Sequence, residues 1–272
     1  MNEKKYPVVS SPRDPRFLNL RSLQTHQGRS RTKLFIIEGI RHLARAVEHC
    51  APIESIFLAP SVLSNLFGQR LARRLRQQGV PGIRLSRDLY RDLTLATEPQ
   101  GIGAVLRQRW FPLEQLRATR DSLWLAVESI ESPGNLGTIV RTAEAAGASG
   151  VFILNPNCDP HDPATIRATM GSLFSQKLVR CSVSEFKYWA KSNGVSIIAS
   201  SPSGLMDYKA LAYRFPAALI VGSEKQGLSE QLLETASFVV RIPMHGSCDS
   251  LNAAVAAGVL LFEIAGQQKE SP

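Results

Sequence analysis

The chain has 272 residues, of which 44% are hydrophobic and 20% are charged, a composition typical of a folded globular protein and not of a disordered one. Its formal net charge of +9 is unevenly spread, since residues 1–120 carry +12 and residues 121–272 carry −3. Most basic side chains of the first half are arginines, whose planar guanidinium suits phosphates. The first half is therefore predicted to bind nucleic acid, with a solvated basic surface as the alternative.

The four cysteines are scattered and form no CxxC pair, which excludes a zinc ribbon and a disulfide framework. This pattern favours the reducing cytoplasm. The first residues lack the apolar core of a signal peptide. No uncharged run reaches the roughly 20 apolar residues that a membrane span needs, so no membrane partner is expected.

The first half begins with a polar arm over residues 1–12, followed by a basic segment over residues 13–33. This segment is predicted to form a short helix and then a loop from His26 to Thr32. Its basic side chains are predicted to contact phosphates, with a solvated helix face as the alternative. These candidates are Arg13, Arg16, Arg21, Arg29, Arg31 and Lys33.

Strands alternate with helices in the rest of the first half, which predicts a small α/β domain over residues 1–107. One helix is predicted over residues 62–78, because four apolar residues recur on one stripe. They are Leu63, Phe67, Leu71 and Leu75. A linker is predicted over residues 108–121.

Residues 122–272 alternate again in the pattern of a parallel, doubly wound sheet. Strands are predicted at 123–128, 150–154, 178–182, 195–200, 217–221 and 237–242. Helices are predicted at 135–147, 163–170, 184–193, 229–235 and 250–265.

Residues 132–147 include the junction between the first of these strands and the following helix, and this strand-to-helix junction contains polar residues. It lies at the edge where ligands bind in open α/β sheets. Asn135 is predicted to cap the following helix, and Gly147 to end it. Arg141 is predicted to point away from the apolar face of this helix. A capping asparagine and a solvated arginine are the alternative interpretation.

Two later junctions have similar features. Glu224 lies between Gly222 and Gly227, and glycines let the backbone approach a ligand closely. Ser250 is predicted to cap the last helix, with Asn252 in its first turn. An ordinary exposed acid is the alternative for Glu224.

Several common kinds of site are absent from the sequence. No GxSxG elbow, GxxxxGK[ST] loop, HExxH or GxGxxG motif occurs. The lone His245 and the pair His161 and Asp162 fit no spacing of metal ligands, so no metal is expected.

Together and in this order, the three junctions resemble the signature of the SpoU/TrmH family of RNA ribose methyltransferases. They are Asn135-Leu136-Gly137 running on to Arg141-Thr142-Ala143 and Ala146-Gly147, Gly222-Ser223-Glu224 with Gly227-Leu228-Ser229, and Ile242-Pro243-Met244 with Gly246 and Ser250-Leu251-Asn252. Ser132 departs from the pattern, since many relatives carry Asp there.

The first half is similar to the family's substrate-recruiting domain of ribosomal protein L30e type. The similarity lies in Phe35-Ile36-Ile37-Glu38-Gly39 and Gln100-Gly101-Ile102. The whole chain looks like the rRNA methyltransferases that confer resistance to thiostrepton or related antibiotics, a pattern shared with housekeeping rRNA enzymes.

The resemblance implies an α/β fold of the SPOUT type, with a smaller L30e-like domain at residues 1–107 and a knotted methyltransferase domain at residues 122–272. The C-terminal parallel sheet would contain a deep trefoil knot, a rare exception to unknotted topology. The chain is expected to form a homodimer and to work in the cytoplasm.

The resemblance also implies the site residues. S-adenosylmethionine would contact Ser200, Gly222, Ile242, Met244 and Leu251. The catalytic positions would be Asn135, Arg141, Glu224, Ser250 and Asn252. In this scheme Arg141 grips the phosphate beside the target ribose, Asn135 holds Arg141 or the substrate, and Glu224 organises its loop, for instance through Arg141.

The implied activity is transfer of a methyl group from S-adenosylmethionine to a ribose 2′-hydroxyl in 23S rRNA. Two alternatives stay open at this point. One is a tRNA substrate, and the other is a non-catalytic RNA-binding or ribosome-assembly protein of the same fold.

Overall fold

The structure is a computed structural model that describes residues 6–154 and 158–270. The chain divides into two compact units. The first contains the residues up to Gln108 together with Pro160–Phe174, and the second contains Arg109–Asp159 and the residues from Ser175 onward. Segment Pro160–Phe174, which the sequence assigns to the C-terminal domain, thus packs within the first unit. The domain boundaries at 107 and 122 stay a prediction.

The first unit is built around a five-stranded sheet with the order β1-β4-β3-β5-β2. The strands are β1 (Val8–Val9), β2 (Leu34–Glu38), β3 (Ile53–Leu58), β4 (Gly82–Leu85) and β5 (Ile102–Arg107). Strand β5 runs antiparallel to its neighbours β2 and β3, whereas β1, β4 and β3 are parallel. Its helices are α1 (Pro15–Ser22), α2 (His26–Thr32), α3 (Ile40–Glu48), α4 (Leu66–Gln77), α5 (Arg87–Leu93) and α7 (Pro163–Thr169).

Two helices of this unit differ from the sequence prediction. The loop predicted from His26 to Thr32 is wrong, because this segment forms helix α2. It begins there because the Thr25 side chain accepts a hydrogen bond from the Gly28 amide at 3.1 Å. It ends at Lys33, which adopts a left-handed conformation.

Helix α4 begins at Leu66 and not at residue 62 as predicted. The Asn65 side chain caps it by accepting from the Gly68 amide at 3.1 Å. The predicted apolar stripe is correct for Leu71 and Leu75, which are buried, but Phe67 is 56% exposed.

The second unit contains a seven-stranded sheet with the order β10-β12-β9-β11-β6-β7-β8, and its described strand pairs are all parallel. The strands are β6 (Leu123–Val127), β7 (Gly150–Ile153), β8 (Leu178–Arg180), β9 (Ser196–Ser200), β10 (Met206–Asp207), β11 (Ala217–Val221) and β12 (Phe238–Arg241). The helices are α6 (Pro133–Ala145), α8 (Val183–Ser192), α9 (Glu230–Leu233) and α10 (Ala253–Glu270). The predicted parallel sheet is thus confirmed, while the trefoil knot stays a prediction.

The register of this sheet brings several strand ends to one edge. Ile220 of β11 pairs with Ala126 of β6 on one side and with Ala199 of β9 on the other, and Ala199 pairs with Val239 of β12. The loops after β6, β9, β11 and β12 therefore leave the sheet at the same carboxyl edge. Among the described helices, none combines the length and the apolar character that a membrane span requires.

Candidate active site

A cleft of about 830 Å³ lies at this carboxyl edge of the second unit. Its walls come from the loops after β9, β11 and β12 and from the start of α10. All five residues predicted to contact the cofactor line it: Ser200, Gly222, Ile242, Met244 and Leu251. The volume lies within the range of about 300–1,000 Å³ that is usual for small-molecule sites.

The loop after β11 is a tight turn. Ser223 and Gly227 exchange two backbone hydrogen bonds, at 3.2 Å and 3.0 Å, and the Ser223 hydroxyl accepts from the Gln226 amide at 3.0 Å. A Cβ atom on Gly222 would lie 2.2 Å from the Gly227 carbonyl oxygen. Only glycine at position 222 lets the turn fold back over the end of the strand.

A chain of side-chain hydrogen bonds joins the three predicted junctions. The Asn135 amide nitrogen donates to Glu224 Oε1, and the Asn252 amide nitrogen donates to Asn135 Oδ1 at 3.1 Å. Asn252 Oδ1 in turn accepts from the Ala254 amide at 2.9 Å. Because an ionised carboxylate only accepts, Glu224 orients Asn135, which orients Asn252. We call these residues the Asn135–Glu224–Asn252 link.

Two predicted helix caps are wrong. Ser132, and not Asn135, caps α6, because its hydroxyl accepts from the Asn135 amide at 3.4 Å. Asn252, and not Ser250, caps α10 through the hydrogen bond to Ala254. Ser250 is exposed and lines the cleft.

Arg141 lies on α6 outside the cleft, and its side chain is exposed as predicted. It makes no hydrogen bond or ion pair with the described part of the chain. It lies six positions after Asn135, which places the two residues about 120° apart around the helix at 100° per residue. The expected contact of Arg141 with Asn135 or Glu224 is therefore wrong for this state, since these two residues bind each other.

Several residues that the sequence interpretation missed also line the cleft: Ser201, Ser203, Lys225, Arg241 and Asp249. The Ser201 and Ser203 hydroxyls are 2.9 Å apart, and Lys225 pairs with Glu131 at 3.3 Å. Each lies within a few residues of a predicted site residue, so extending each motif along its loop would have found them.

The lining suits S-adenosylmethionine, which has apolar ring faces and polar ends. Ile242, Met244 and Leu251 present partly exposed apolar side chains, and Leu251 is 37% exposed. Within the described part of the chain, the backbone groups of these three residues form no hydrogen bonds, so their amides and carbonyls are available to a ligand. The residues present therefore fit this cofactor.

The basic segment of the first unit is only partly available for contact with RNA. Arg29 is 2% exposed, and its guanidinium donates to the Leu23 and Gln24 carbonyls at 3.0 Å and 2.8 Å and to Asp162 at 2.9 Å. The expectation that Arg29 contacts phosphate is therefore wrong. Arg16 is exposed but pairs with Asp14 at 2.6 Å, and this bond lowers the pKa of Asp14.

The other four predicted RNA contacts are exposed: Arg13, Arg21, Arg31 and Lys33.

Glu38 and Gln100, which belong to the two sequence motifs noted for the first half, hold one loop of the first unit in place. Glu38 accepts hydrogen bonds from the hydroxyls of Tyr90 and Thr94, and burial raises the pKa of its carboxyl. The Gln100 side chain accepts from the Ile40 amide at 2.7 Å. These bonds hold the loop between α5 and β5 against the end of β2.

The described residues contain no group of three or more His, Cys, Asp or Glu side chains that could hold a metal. His161 packs against Phe35 in a tilted arrangement with ring centroids 4.7 Å apart, and Asp162 is the partner of Arg29. His245 is exposed.

Residues 122–262 match the SpoU rRNA Methylase family, and residues 14–104 match an MRM3-like substrate binding domain. The chain is 29% identical to the Bacillus subtilis 23S rRNA (guanosine(2553)-2′-O)-methyltransferase RlmP, over 95% of this chain and 99% of that protein. It is 30% identical to the Streptomyces viridochromogenes 23S rRNA (uridine(2479)-2′-O)-methyltransferase, over 94% of this chain and 91% of that protein.

A crystal structure of an AdoMet-bound rRNA methyltransferase from Sinorhizobium meliloti has a similar fold. It matches with a TM-score of 0.87 and 32% identity, over 95% of this chain and 97% of that chain.

Proposed function

Because the chain belongs to the SpoU rRNA methylase family, we propose that it transfers a methyl group from S-adenosylmethionine to a ribose 2′-hydroxyl of 23S rRNA. The observation that carries this proposal is the cleft at the carboxyl edge, which collects all five predicted cofactor residues. Two relatives that match almost the full chain are named as 23S rRNA enzymes, which favours rRNA over tRNA.

The bound cofactor supplies a methyl group on a positively charged sulfur, which is already activated for displacement. The cleft residues have to hold this group and exclude water. Backbone groups of Ile242, Met244 and Leu251 would bind its polar parts, and the turn after Gly222 would form one wall of its site. Holding the reacting atoms in line supplies most of the catalysis.

Arg141 acts on the substrate side. Its guanidinium, which stays cationic in proteins, grips the phosphate beside the target ribose and turns the 2′-oxygen toward the cleft. As the new carbon–oxygen bond forms, the carbon–sulfur bond would break and leave a neutral thioether, while the hydroxyl proton passes by way of an oxygen of that phosphate to solvent. The cation also stabilises the negative charge that develops there.

The Asn135–Glu224–Asn252 link positions the walls of the site. It connects α6, which carries Arg141, to the turn after β11 and to the start of α10. Ser250 lies on the cleft wall next to this link. The intact link favours catalysis over the alternative of a non-catalytic RNA-binding protein.

The chain works as a homodimer through α10. Val255 and Phe262 are 52% and 55% exposed and lie on one face of this helix, as does the partly exposed Val259. An apolar stripe of this kind is suited to pairing with a second copy. The proposed rRNA substrate implies that the protein works in the cytoplasm.

The test separates cofactor binding from methyl transfer. Calorimetry with S-adenosylmethionine is expected to show one site per chain, and Arg141→Ala is expected to keep that affinity because Arg141 lies outside the cleft. Methyl incorporation into a 23S rRNA transcript is expected to fall at least a hundredfold. Absence of cofactor binding by the wild type would favour the non-catalytic alternative, and near-normal incorporation by the variant would refute the role of Arg141.

A further inference from the structure

Helix α4 exposes a face that combines large apolar side chains with arginines. Leu66 and Phe67 are 68% and 56% exposed, and the exposed Arg70, Arg73 and Arg74 follow within two turns. At 100° per residue, these five positions share an arc of about 120°. Gly68, Leu71, Ala72 and Leu75 form the opposite, buried face. We call the exposed set the α4 face.

The α4 face lies in a strongly positive part of the chain. No acidic residue occurs between Glu54 and Asp88, whereas six arginines do. None of the three arginines of the α4 face forms an ion pair with a described residue. Elsewhere in the same unit, Arg45 pairs with Glu48 and Arg107 pairs with Glu54, each at 2.9 Å.

This combination is suited to single-stranded nucleic acid. Bases stack on aromatic side chains, and arginines hold the phosphates between them. A second copy of the chain is a poor occupant, because two identical arginine-rich faces repel each other. Packing does not explain the exposed Phe67, which lies outside the buried stripe of its helix.

We propose that the α4 face is a contact surface for single-stranded RNA, with Phe67 stacking on a base and Arg70 and Arg74 holding flanking phosphates. The proposal deepens the proposed function and rests on its RNA substrate. It adds a second surface to the basic segment 13–33, in which Arg29 is buried and Arg16 is paired.

The electrostatic half of the proposal is tested with two matched double variants. R70Q/R74Q removes two charges from α4, and R87Q/R91Q removes two exposed charges with the same spacing from α5, where Asp88 and Asp92 are neighbours. Binding to an unmethylated 23S rRNA transcript and to poly(A) is titrated over a range of salt. The logarithm of the binding constant decreases as the logarithm of the salt concentration rises. The steepness of this slope is expected to decrease by about 1.4 in R70Q/R74Q, at about 0.7 per lost phosphate contact, and by less in R87Q/R91Q.

The stacking half is tested with Phe67→Leu and Phe67→Trp. Phe67→Leu keeps an apolar side chain but loses the ring, and it is expected to weaken binding about fivefold or more without changing the salt slope. Phe67→Trp is expected to keep the affinity, and the fluorescence that it adds should be quenched by bound RNA. Thermal melting of each variant checks that the fold is kept.

Three results would overturn the proposal. The first is an equal change of the salt slope in R70Q/R74Q and R87Q/R91Q. The second is binding of RNA by Phe67→Leu with the affinity of the wild type. The third is a change of oligomeric state in R70Q/R74Q with no change in RNA affinity. Binding is measured without methyl donor, so the two proposals fail separately. A wild type that binds the transcript but never methylates it would refute the proposed function, while the α4 face would still be judged by its variants.

Discussion

The Asn135 side chain is oriented by a hydrogen bond to Glu224, which lies 89 positions away in the sequence. The carboxylate of Glu224 accepts its amide hydrogen, which leaves its oxygen for Asn252. Local sequence predicts an N-cap at Asn135 because asparagine is a good cap, but Ser132 has a better position for this role. The pattern therefore finds the right residues at the site, whereas their partners depend on tertiary contacts.

Asn252→Asp tests the link at a single atom. The aspartate keeps an oxygen for the Ala254 amide, so the cap and the melting temperature should be kept. It replaces the donor to Asn135 with a second acceptor, which repels Asn135 Oδ1. We expect the single-turnover rate of methyl transfer to fall by about tenfold or more, since the variant loses a hydrogen bond worth about 1 kcal/mol and places a carboxylate against Asn135 Oδ1.

Asn252→Ser is the companion variant, because serine also caps a helix but cannot reach Asn135. It should lose rate to a similar extent. Wild-type rates in both variants would show that the link has no part in catalysis.

At the level of elements, the turn after β11 can form because Gly222 has no side chain. Sequence alone indicates that glycine permits close approach there, but not that the approaching group is the Gly227 carbonyl. The same limit applies to α2 and α4, whose first residues depend on which of several polar side chains accepts from the helix amides. Element types are therefore predictable from apolar periodicity, and their ends only approximately.

Gly222→Ala is expected to displace this turn, because a methyl group would lie 2.2 Å from the Gly227 carbonyl oxygen. The affinity for S-adenosylmethionine, measured by calorimetry, should fall at least tenfold. Gly266→Ala is the matched control, since no atom lies within 4 Å of the added carbon there and Gly266 does not line the cleft. Equal affinities in the two variants would remove the turn from the cofactor site.

At the scale of the molecule, the alternation of strands and helices correctly predicts the parallel sheet of the second unit. It does not predict that Pro160–Phe174 packs within the first unit. That placement depends on contacts between residues more than 100 positions apart, such as the ion pair of Arg29 with Asp162. Periodicity carries no information on such pairs.

Arg29→Met should destabilise the first unit, because it leaves the Asp162 carboxylate and two carbonyls without their partner. Because the Asp162 side chain is 27% exposed and can be hydrated, the loss should be about 1–3 kcal/mol, below that of a fully buried pair. Urea unfolding followed by hydrogen exchange in peptides of α2 and α7 measures this loss. Arg31→Met, on the exposed side of the same helix, should change stability by less than about 0.5 kcal/mol, and an equal loss in both would contradict the structural role of Arg29.

His42 makes the stability of the first unit depend on pH. It lies between the Glu38 and Ile166 carbonyls, at 3.0 Å and 3.1 Å, and burial lowers the pKa of its imidazole below the usual 6.5. The unfolded chain therefore takes up a proton near pH 6.5 that the folded chain does not. Stability is kept above this pH and lost as the pH falls below it, by at most about 1.4 kcal/mol per pH unit.

Thermal melting of the wild type and of His42→Gln at pH 7.5 and pH 5.5 measures this effect. The melting temperature of the wild type should fall more on acidification than that of the variant, which has no group to titrate at this position. Equal shifts in the two proteins would show that His42 is not responsible.

The central claim, methylation of a ribose 2′-hydroxyl in 23S rRNA, is tested most directly by the chemistry of the product. A 2′-O-methyl group prevents the 2′-oxygen from attacking the adjacent phosphate in alkali. The chain is incubated with methyl-labelled S-adenosylmethionine and an unmodified 23S rRNA transcript, and the RNA is then hydrolysed with alkali. The label is predicted to appear in an alkali-resistant dinucleotide. Label in mononucleotides, or no label in the RNA, would contradict the claim.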